Sequence, residues 1–384
     1  MKKIINLENL IYLTIFALPS YLLRFSFFGF PTNVLDGLIA VCVVWRIFFY
    51  EEKIDYKLFF EKYKPFVFSV GLIFFGLTVS VLANKNYAAG FGIIKSWFLL
   101  PLVFSLVVSS VIKEDKIKNI FLAYYISAFI VALVSLGYFF LGQITYDGRL
   151  AGIFNSPNYL AMYLAPAVFI GCQLFFGASR NSKTFFLISG AIILAALYLT
   201  FSYAAWVAAA VALVLVFILE KKINWKKVLI IIFAIIILFS SQVEKNKFSS
   251  LANLDERSSL QSRMMIWRSV EKMLADNWFW GIGAGNFQEK YLENQKYFPP
   301  YLEWAVPHPH NLFLTFWLYG GIFGLAGFIM LLYFWFAKVL STTKNSQLKF
   351  IALGIMFYIL LHGLVDTTYF KNDLAVLFWM LFAI

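Results

Sequence analysis

Runs of about 20 apolar residues recur along most of the chain, and each is long enough to cross a bilayer as a helix. Only 14% of the 384 residues are charged, whereas 61% are hydrophobic. A soluble domain carries roughly 25% charged residues, so this composition indicates an integral membrane protein. The short alternating segments typical of membrane β-barrels are absent from the sequence. The sequence therefore predicts an all-α, polytopic membrane protein, and its net charge of +12 does not indicate a nucleic-acid partner.

Twelve membrane spans are predicted, each bounded by the polar residues that flank an apolar run. They form a single integral membrane domain, with nine spans within residues 1–243, a large polar loop at 244–307 and three spans within 308–384. The predicted spans cover residues 8–28, 33–50, 65–83, 91–112, 119–141, 157–177, 185–201, 203–219, 228–243, 309–337, 349–366 and 371–384.

Lysine and arginine are concentrated in the short loops on one side of these spans. Loops with an excess of these residues stay in the cytoplasm, so both chain termini are predicted to be cytoplasmic. The loops with residues of interest, including the large loop at 244–307, then fall on the opposite side. We therefore expect a multi-pass protein whose reactive residues face the outside of the cell membrane.

One helix is predicted inside the large loop. Ser258 and Gln261 have the spacing of a capping box, and apolar residues follow at helical intervals. Arg263 and Trp267 are four positions apart and share a face of this helix, while Arg268 points elsewhere. The large loop is thus expected to be partly helical and to present two guanidinium groups outside the membrane.

The segment Pro307-His308-Pro309-His310-Asn311 closes the large loop and opens a strongly apolar run. Asn311 or His310 can cap the helix that begins there, and the backbone N–H groups of such an end attract anions. The same positive end disfavours a charged imidazolium, so His310 is expected to stay neutral and able to accept a proton. The alternatives are a histidine satisfied by the backbone for His310 and a structural role for His308.

Arg149 lies in a short external segment rich in turn residues, just before a predicted span. A guanidinium held in such a segment suits bidentate contact with phosphate, and Arg263 and Arg268 offer the same chemistry from the large loop. The competing interpretation for Arg149 is contact with lipid head groups. For the two loop arginines it is an ordinary salt bridge on the loop surface.

His362 and Asp366 are four positions apart in the eleventh predicted span and are expected to share a helix face. Packing or a hydrogen bond between helices is favoured over a metal pair, because carboxylate clusters are missing from the sequence. Cys42 and Cys172 lie in apolar runs and are expected to be buried without forming a disulfide or a metal site. The residues therefore predict neither a metal nor another cofactor.

Several segments, in order along the chain, resemble the O-antigen ligase and O-antigen polymerase family of bacterial membrane proteins. The single large external loop before the tenth span is also similar to that family. The segments that carry the resemblance are residues 148–161, 262–267, 276–287, 308–314 and 362–366.

The resemblance implies a periplasmic site in the bacterial inner membrane, with a glycan donor carried on undecaprenyl diphosphate. The acceptor hydroxyl would belong to lipid A–core, to another glycan or to a protein, and neither a metal nor a nucleotide sugar is implied. By motif, Arg149 and Arg263 would hold the diphosphate, and His310 would be the base for the acceptor hydroxyl. Arg268 is also expected to bind the donor diphosphate, and the expected supporting residues are Asn311, Trp267, Tyr203, Asp366 and His308.

One position departs from the family pattern. The family commonly has an arginine after serine at the tight turn between the seventh and eighth spans, and here Tyr203 follows Ser202. One phosphate contact is then lost, or it is supplied by Arg268 or Lys272. This departure leaves the nature of the donor open.

A ligase-like transferase is favoured over a polymerase of the same family. A protein acceptor is less favoured, because protein-glycosylating relatives often have an additional C-terminal segment, and this chain ends at Ile384. A transporter or flippase of lipid-linked glycan is the alternative from another class, and it predicts paired ionisable residues at mid-membrane, of which the sequence has few. A non-catalytic member of the family is a third alternative, which Tyr203 keeps open.

Overall fold

The computed structural model describes residues 6–27, 30–51, 55–220, 259–297, 306–342 and 345–383, together with positions 229 and 240. The ninth predicted span at 228–243, apart from those two positions, lies outside the described residues, as do Ser258 and part of the large loop.

Helices dominate the described residues and are numbered here in chain order. A β-hairpin joins strand β1 (Arg24–Phe27) to strand β2 (Phe30–Asn33). The helices are α1 (Leu7–Phe16), α2 (Val34–Phe48), α3 (Tyr56–Asn84), α4 (Tyr87–Ile93), α5 (Leu100–Val111), α6 (Ile117–Phe140), α7 (Pro157–Gly177), α8 (Arg180–Leu199), α9 (Tyr203–Leu219), α10 (Ser259–Asn277), α11 (Phe287–Asn294), α12 (Leu312–Thr342), α13 (Ser346–His362) and α14 (Asn372–Met380).

Within the described residues, six apolar helical segments are long enough to cross a membrane, and α1, α9 and α13 are shorter apolar helices. The chain is therefore a multi-pass, all-α membrane protein, as predicted, while the number of twelve spans stays a prediction. The six long segments cover Phe59–Asn84, Tyr87–Val111, Glu114–Phe140, Pro157–Gly177, Arg180–Leu199 and Leu312–Ser341.

Helix bounds agree best with the sequence where a local signal marks the helix start. The predicted span at 157–177 coincides with α7, whose Ser156 side chain accepts a hydrogen bond from the Asn158 backbone N–H, with Pro157 next in the chain. The first and last predicted spans differ from the structure. The first contains a helix of 10 residues before the hairpin, and the last contains the 9-residue α14. At about 1.5 Å per residue, neither helix crosses a bilayer by itself.

The long helices α3 and α12 pack closely through glycines. A Cβ atom on Gly76 would meet backbone atoms of Gly320 and Gly324, and one on Gly327 would meet backbone atoms of Ser69 and the side chain of Ile73. Small residues at such positions let two membrane helices approach backbone to backbone, which increases their van der Waals contact. This pair forms the central framework of the described helices.

The turn that follows α10 is bonded to a break in α12. Gly321 has φ of 62° inside the helix, which is a left-handed conformation that glycine adopts without a steric penalty. The break frees backbone groups, so the Ile322 N–H donates to the Phe279 carbonyl at 3.1 Å and the Ile282 N–H donates to the Leu318 carbonyl at 2.7 Å. We call the side of the helices where α10 and α11 lie the loop end, and the other side the basic end.

Candidate active site

A single buried carboxylate, that of Asp366, joins residues from three parts of the chain at the loop end. One oxygen accepts a hydrogen bond from the Thr367 backbone N–H at 2.9 Å and lies 3.1 Å from Nδ1 of His310. The other accepts from the Asn158 side-chain amide at 3.0 Å and lies 3.6 Å from a guanidinium nitrogen of Arg263. The Asp366 side chain is only 1% exposed, so these partners replace water around it.

These neighbours keep Asp366 ionised. Burial alone raises the pKa of its carboxyl, but His310, Arg263 and His362 outweigh burial and hold that pKa well below its usual value. A buried carboxylate with two partners that can be cationic is a common arrangement for orienting a base.

His310 lies at the start of α12 and presents one imidazole nitrogen to the surroundings. Because Asp366 is ionised, the proton of a neutral His310 imidazole belongs on Nδ1, which leaves the lone pair of Nε2 free to accept a proton. The side chain is 27% exposed and lines a cavity. His310 also has φ of 49°, a left-handed backbone conformation that costs a residue with a side chain about 1–3 kcal/mol.

Asn311 caps α12, as the sequence predicts. Its side-chain oxygen accepts from the Leu314 backbone N–H at 3.0 Å, and its amide donates to the Leu364 carbonyl at 2.9 Å. The Leu312 N–H donates to the Gly363 carbonyl. The beginning of α12 is therefore bonded to the same short segment that carries Asp366, which fixes the distance between His310 and its carboxylate.

Helix α10 contributes Arg263 and Trp267 from one face, as their spacing predicts. Nε of Arg263 donates to the Val365 carbonyl at 2.7 Å, and the indole N–H of Trp267 donates to the Pro309 carbonyl at 3.0 Å. The two side chains hold α10 against both segments of the site. Arg268 is exposed on the same helix, away from the cavity beside His310.

Arg149 lies behind Asn158 and reaches Asp366 only through that amide. Its guanidinium donates to the Thr200 carbonyl at 2.8 Å and to the Asn158 side-chain oxygen at 2.7 Å, and it lies 3.8 Å from Asp147. Its side chain is 11% exposed. Burial lowers the pKa of Arg149, but a guanidinium titrates so far above neutral pH that it stays charged.

Tyr203 begins α9, three positions after the Thr200 carbonyl that Arg149 contacts. The Tyr203 ring packs edge-on against the Trp206 ring, with 5.3 Å between the ring centroids. Tyr203 also lines a surface pocket beside Val365, on the chain segment whose carbonyl holds Arg263. The residue at the position of the family arginine therefore lies near Val365, whose carbonyl accepts from Arg263, and it adds no charge there.

His308 is buried and lies between His310 and α7. Its Nε2 is 2.8 Å from the Tyr159 hydroxyl, and its ring centroid is 4.4 Å from that of His310. Burial, followed by the charge of a protonated His310, lowers the pKa of His308 to about 3, so this imidazole is neutral at physiological pH. Nδ1 of His308 has no hydrogen-bond partner within the described residues. The Tyr159 contact was not predicted, because nothing local in the sequence relates it to His308.

His362 and Asp366 do not share a helix face, contrary to the prediction. Helix α13 ends at His362, and the chain turns at Gly363 before it reaches Asp366. Nδ1 of His362 lies 2.9 Å from the Tyr358 hydroxyl in its own helix. Gly363 keeps helical backbone angles, and the turn at residues 363–365 takes Asp366 out of the helix.

A cavity of about 180 Å³ opens beside these residues. Arg263, His310 and Asn158 line it, so it combines a cation, a base and an amide in one place, next to the carboxylate. Asn158 was matched within a motif but was given no role by the sequence, since its importance depends on two partners distant in the chain. The other residues that line the cavity are Ser259, Ser262, Ile266, Val306 and Pro307.

Three possible metal ligands also lie in this group. One ligand atom each from His308, His310 and Asp366 lies within 4.8 Å of the other two. Arg263 occupies a position 3.6 Å from the same carboxylate, however, so a divalent cation would bind against an existing positive charge. The donor set fits a proton-transfer site stabilised by Arg263 better than it fits a metal site.

Comparison with known proteins finds a family and a relative that are concerned with glycan transfer. The family model described as O-antigen ligase matches residues 188–329, which include Arg263 and His310. The chain is also 28% identical, over 245 residues, to a ComP-specific O-oligosaccharyltransferase of Acinetobacter baylyi (strain ATCC 33305 / BD413 / ADP1). The match covers 60% of this chain and 44% of that relative's length.

Proposed function

On the premise that this chain is of the O-antigen ligase family, which the family match and the relative support, we propose that it transfers a glycan from undecaprenyl diphosphate to an acceptor hydroxyl. One observation carries the proposal. The imidazole of His310 and the guanidinium of Arg263 line the same cavity, and both lie within 3.6 Å of the same ionised carboxylate.

The proposed reaction needs a base on one side of the sugar and positive charge on the other. The acceptor hydroxyl gives its proton to Nε2 of His310 while its oxygen bonds to the anomeric carbon of the donor sugar. The bond from that carbon to the diphosphate oxygen breaks, and the electron pair stays on the diphosphate. A positioned base contributes about 10²–10⁴ in rate, and a fixed guanidinium stabilises the charge on the leaving oxygens.

The two arginines have different places in this scheme. Arg263 lines the cavity and is proposed to contact the diphosphate directly. Arg149 has its guanidinium engaged by Thr200 and Asn158, so we assign it to holding the Asn158–Asp366 pair and to the positive field of the site. Arg268, which is exposed, is proposed to contact the donor only outside the cavity, with Lys272 on the same helix.

The location and chemistry of the partners are part of the proposal. The distribution of lysine and arginine supports an inner-membrane protein with cytoplasmic termini and a periplasmic site. The donor is then a glycan on undecaprenyl diphosphate, and the acceptor is lipid A–core or a growing glycan. The charge of Arg263 beside Asp366 supports a metal-independent transfer.

A protein hydroxyl is a second candidate acceptor, and the relative's name favours it, since that protein is an O-oligosaccharyltransferase specific for ComP. A lipid-linked glycan transporter is the alternative from another class. It would move the donor without breaking the bond between sugar and diphosphate, so release of undecaprenyl diphosphate separates the two classes.

The deciding experiment is reconstitution of the purified chain with undecaprenyl-diphosphate-linked glycan and separate lipid A–core, glycan and protein acceptors. Wild type is expected to release undecaprenyl diphosphate with one acceptor class. His310→Asn is expected to lose at least about 10²-fold in rate, because it removes the base. Asparagine also tolerates the left-handed backbone at this position, so the fold is kept. Equal release by wild type and His310→Asn would overturn the proposal.

A further inference from the structure

A large apolar groove lies at the basic end, on the side of the helices away from the candidate active site. It has a volume of about 580 Å³ and is bounded by α3, α5 and the C-terminal segment that includes α14. Phe60, Val67 and Gly71 form one wall, Leu102 and Leu106 the other, and Trp379 with Phe382 forms the buried floor. The end of α3 near Asn84 is bonded to Gly281 at the loop end, so the groove lies at the opposite end of the same helix.

The groove has the shape of a binding site for an extended chain. Its wall on α3 runs from Phe59 to Gly71, which at about 1.5 Å per residue is a length of roughly 18 Å. Phe60 and Val67 are 54% and 52% exposed, so the groove opens sideways between α3 and α5. In a membrane-spanning helix, that side opens toward the hydrocarbon of the bilayer.

Two lysines from different helices lie at the outer mouth of this groove. Nζ of Lys62, on α3, lies 5.5 Å from the centre of the Tyr63 ring, and Nζ of Lys338, on α12, lies 5.8 Å from the centre of the same ring. Lys62 donates to the hydroxyl of Ser109 at 3.0 Å and approaches the carbonyl of Ala383 at 3.5 Å, both of which are neutral. Two positive charges are thus held around one aromatic ring that itself lines the groove.

We propose that this groove binds one anionic diacyl phospholipid, with an acyl chain between α3 and α5 and the phosphate held by Lys62 and Lys338. The positive charges of the two lysines complement a lipid phosphate and identify the lipid as anionic. The head group of a zwitterionic lipid would bring a further positive charge next to the lysines. The distance from the loop end separates this site from glycan transfer, so the inference does not depend on the proposed function.

The test measures lipid retention by native mass spectrometry on the purified full chain in detergent. It uses phosphatidylglycerol and phosphatidylethanolamine with identical acyl chains. Wild type is expected to retain phosphatidylglycerol with about thirtyfold higher affinity, the contribution of two lysines near an anionic head group. The double variant Lys62→Gln/Lys338→Gln is expected to lose that preference. The matched control Lys118→Gln/Lys183→Gln removes two exposed lysines outside the groove and is expected to keep it.

A second variant tests the apolar part of the groove without changing charge. Gly71 lines the groove and has open space where a Cβ atom would be, so the side chain of Gly71→Leu is expected to occupy part of the groove. It is expected to reduce retention of both lipids, while Gly137→Leu, which also meets open space outside the groove, is expected to change neither. Equal affinity for the two lipids, unchanged selectivity in the lysine variant, or full competition by soluble glycerol phosphate would overturn the proposal.

Discussion

The imidazole of His310 lies 3.1 Å from the carboxylate of Asp366, although 56 positions separate the two residues in the chain. The carboxylate is also bonded to Asn158 and paired with Arg263, so it holds the base and the cation in one geometry. Because Asp366 orients Nδ1 of His310, its effect on transfer is predicted to be nearly as large as that of His310 itself.

Asp366→Asn is predicted to lower the transfer rate by about 10²–10⁴, the range that a positioned base contributes. The amide keeps the size of the carboxyl group but can donate a hydrogen bond to Nδ1, which places the imidazole proton on Nε2 and removes the free lone pair. The single-turnover rate of undecaprenyl diphosphate release measures this effect.

Asp36→Asn is the control for that variant. Asp36 is also a buried carboxylate, bonded to Ser96 and Asn372 and paired with Lys95, but it does not contact His310. Both variants are compared at equal amounts of folded protein. If Asp36→Asn slowed transfer as much as Asp366→Asn, loss of any buried carboxylate would explain the result and the assigned role of Asp366 would be wrong.

The parts of this site that the sequence predicted are those with local signals. Asn311 could be recognised as a helix cap, and the shared face of Arg263 and Trp267 follows from helical spacing. The partnership of His310 with Asp366 could not be recognised, because it depends on how α12 and the segment after α13 are packed. The predicted shared helix face of His362 and Asp366 was wrong for the complementary reason, since helical periodicity was extended past His362, where the helix ends.

Arg263→Gln is predicted to weaken donor use by at least about tenfold in kcat/KM, whereas Arg268→Gln is predicted to change it less than twofold. Arg263 lines the cavity and is paired with Asp366, while Arg268 is exposed on the same helix. A hydrogen bond to a charged group contributes about 1.5–3 kcal/mol, which corresponds to factors of roughly 10 to 150. Steady-state assays with varied donor concentration distinguish the two arginines, and equal losses would contradict the assignment.

Gly321→Ala is predicted to destabilise the protein by about 1–3 kcal/mol, because a side chain at φ of 62° is strained. The added Cβ atom would also overlap the Phe279 carbonyl and separate the turn after α10 from α12. Thermal unfolding in detergent measures the loss. Gly137→Ala, in an α6 position with open space, is predicted to be neutral or to stabilise by up to about 1 kcal/mol, and similar losses in both variants would contradict the role of the break.

Acid is predicted to destabilise the protein partly through His308. The folded pKa of His308 is lowered to about 3, below the ordinary value of 6.5, so the unfolded chain binds this proton at higher pH than the folded chain. The free energy of unfolding therefore falls as the pH decreases from about 6.5 to about 3. At pH 5, the titration of His308 lowers it by about 2 kcal/mol relative to neutral pH. Denaturation of wild type and His308→Gln at pH 7 and pH 5 measures the difference. The variant should lose less stability, and equal losses would show that His308 does not titrate this way.

The count of membrane spans shows a second limit of sequence-based prediction. Apolar runs identify helices such as α7 and α9, but they do not say where a run contains a shorter helix and a turn. At the N-terminus, Pro19 lies within a 3₁₀ turn after α1, and the chain continues into β1. At the other terminus α14 is almost wholly buried by other helices, so its apolar residues reflect contact with protein as much as contact with lipid.

The left-handed backbone of His310 makes the imidazole replaceable from solution. Glycine adopts this conformation more easily than any other residue, so His310→Gly relieves backbone strain while it removes the ring. The vacated space adjoins the cavity of about 180 Å³ and remains next to Asp366, which orients a ring nitrogen in the native protein. Free imidazole added to His310→Gly is therefore expected to restore transfer in a concentration-dependent way, and the same addition to Asp366→Asn is expected to restore none. The protein would then be switched on by a small diffusible base.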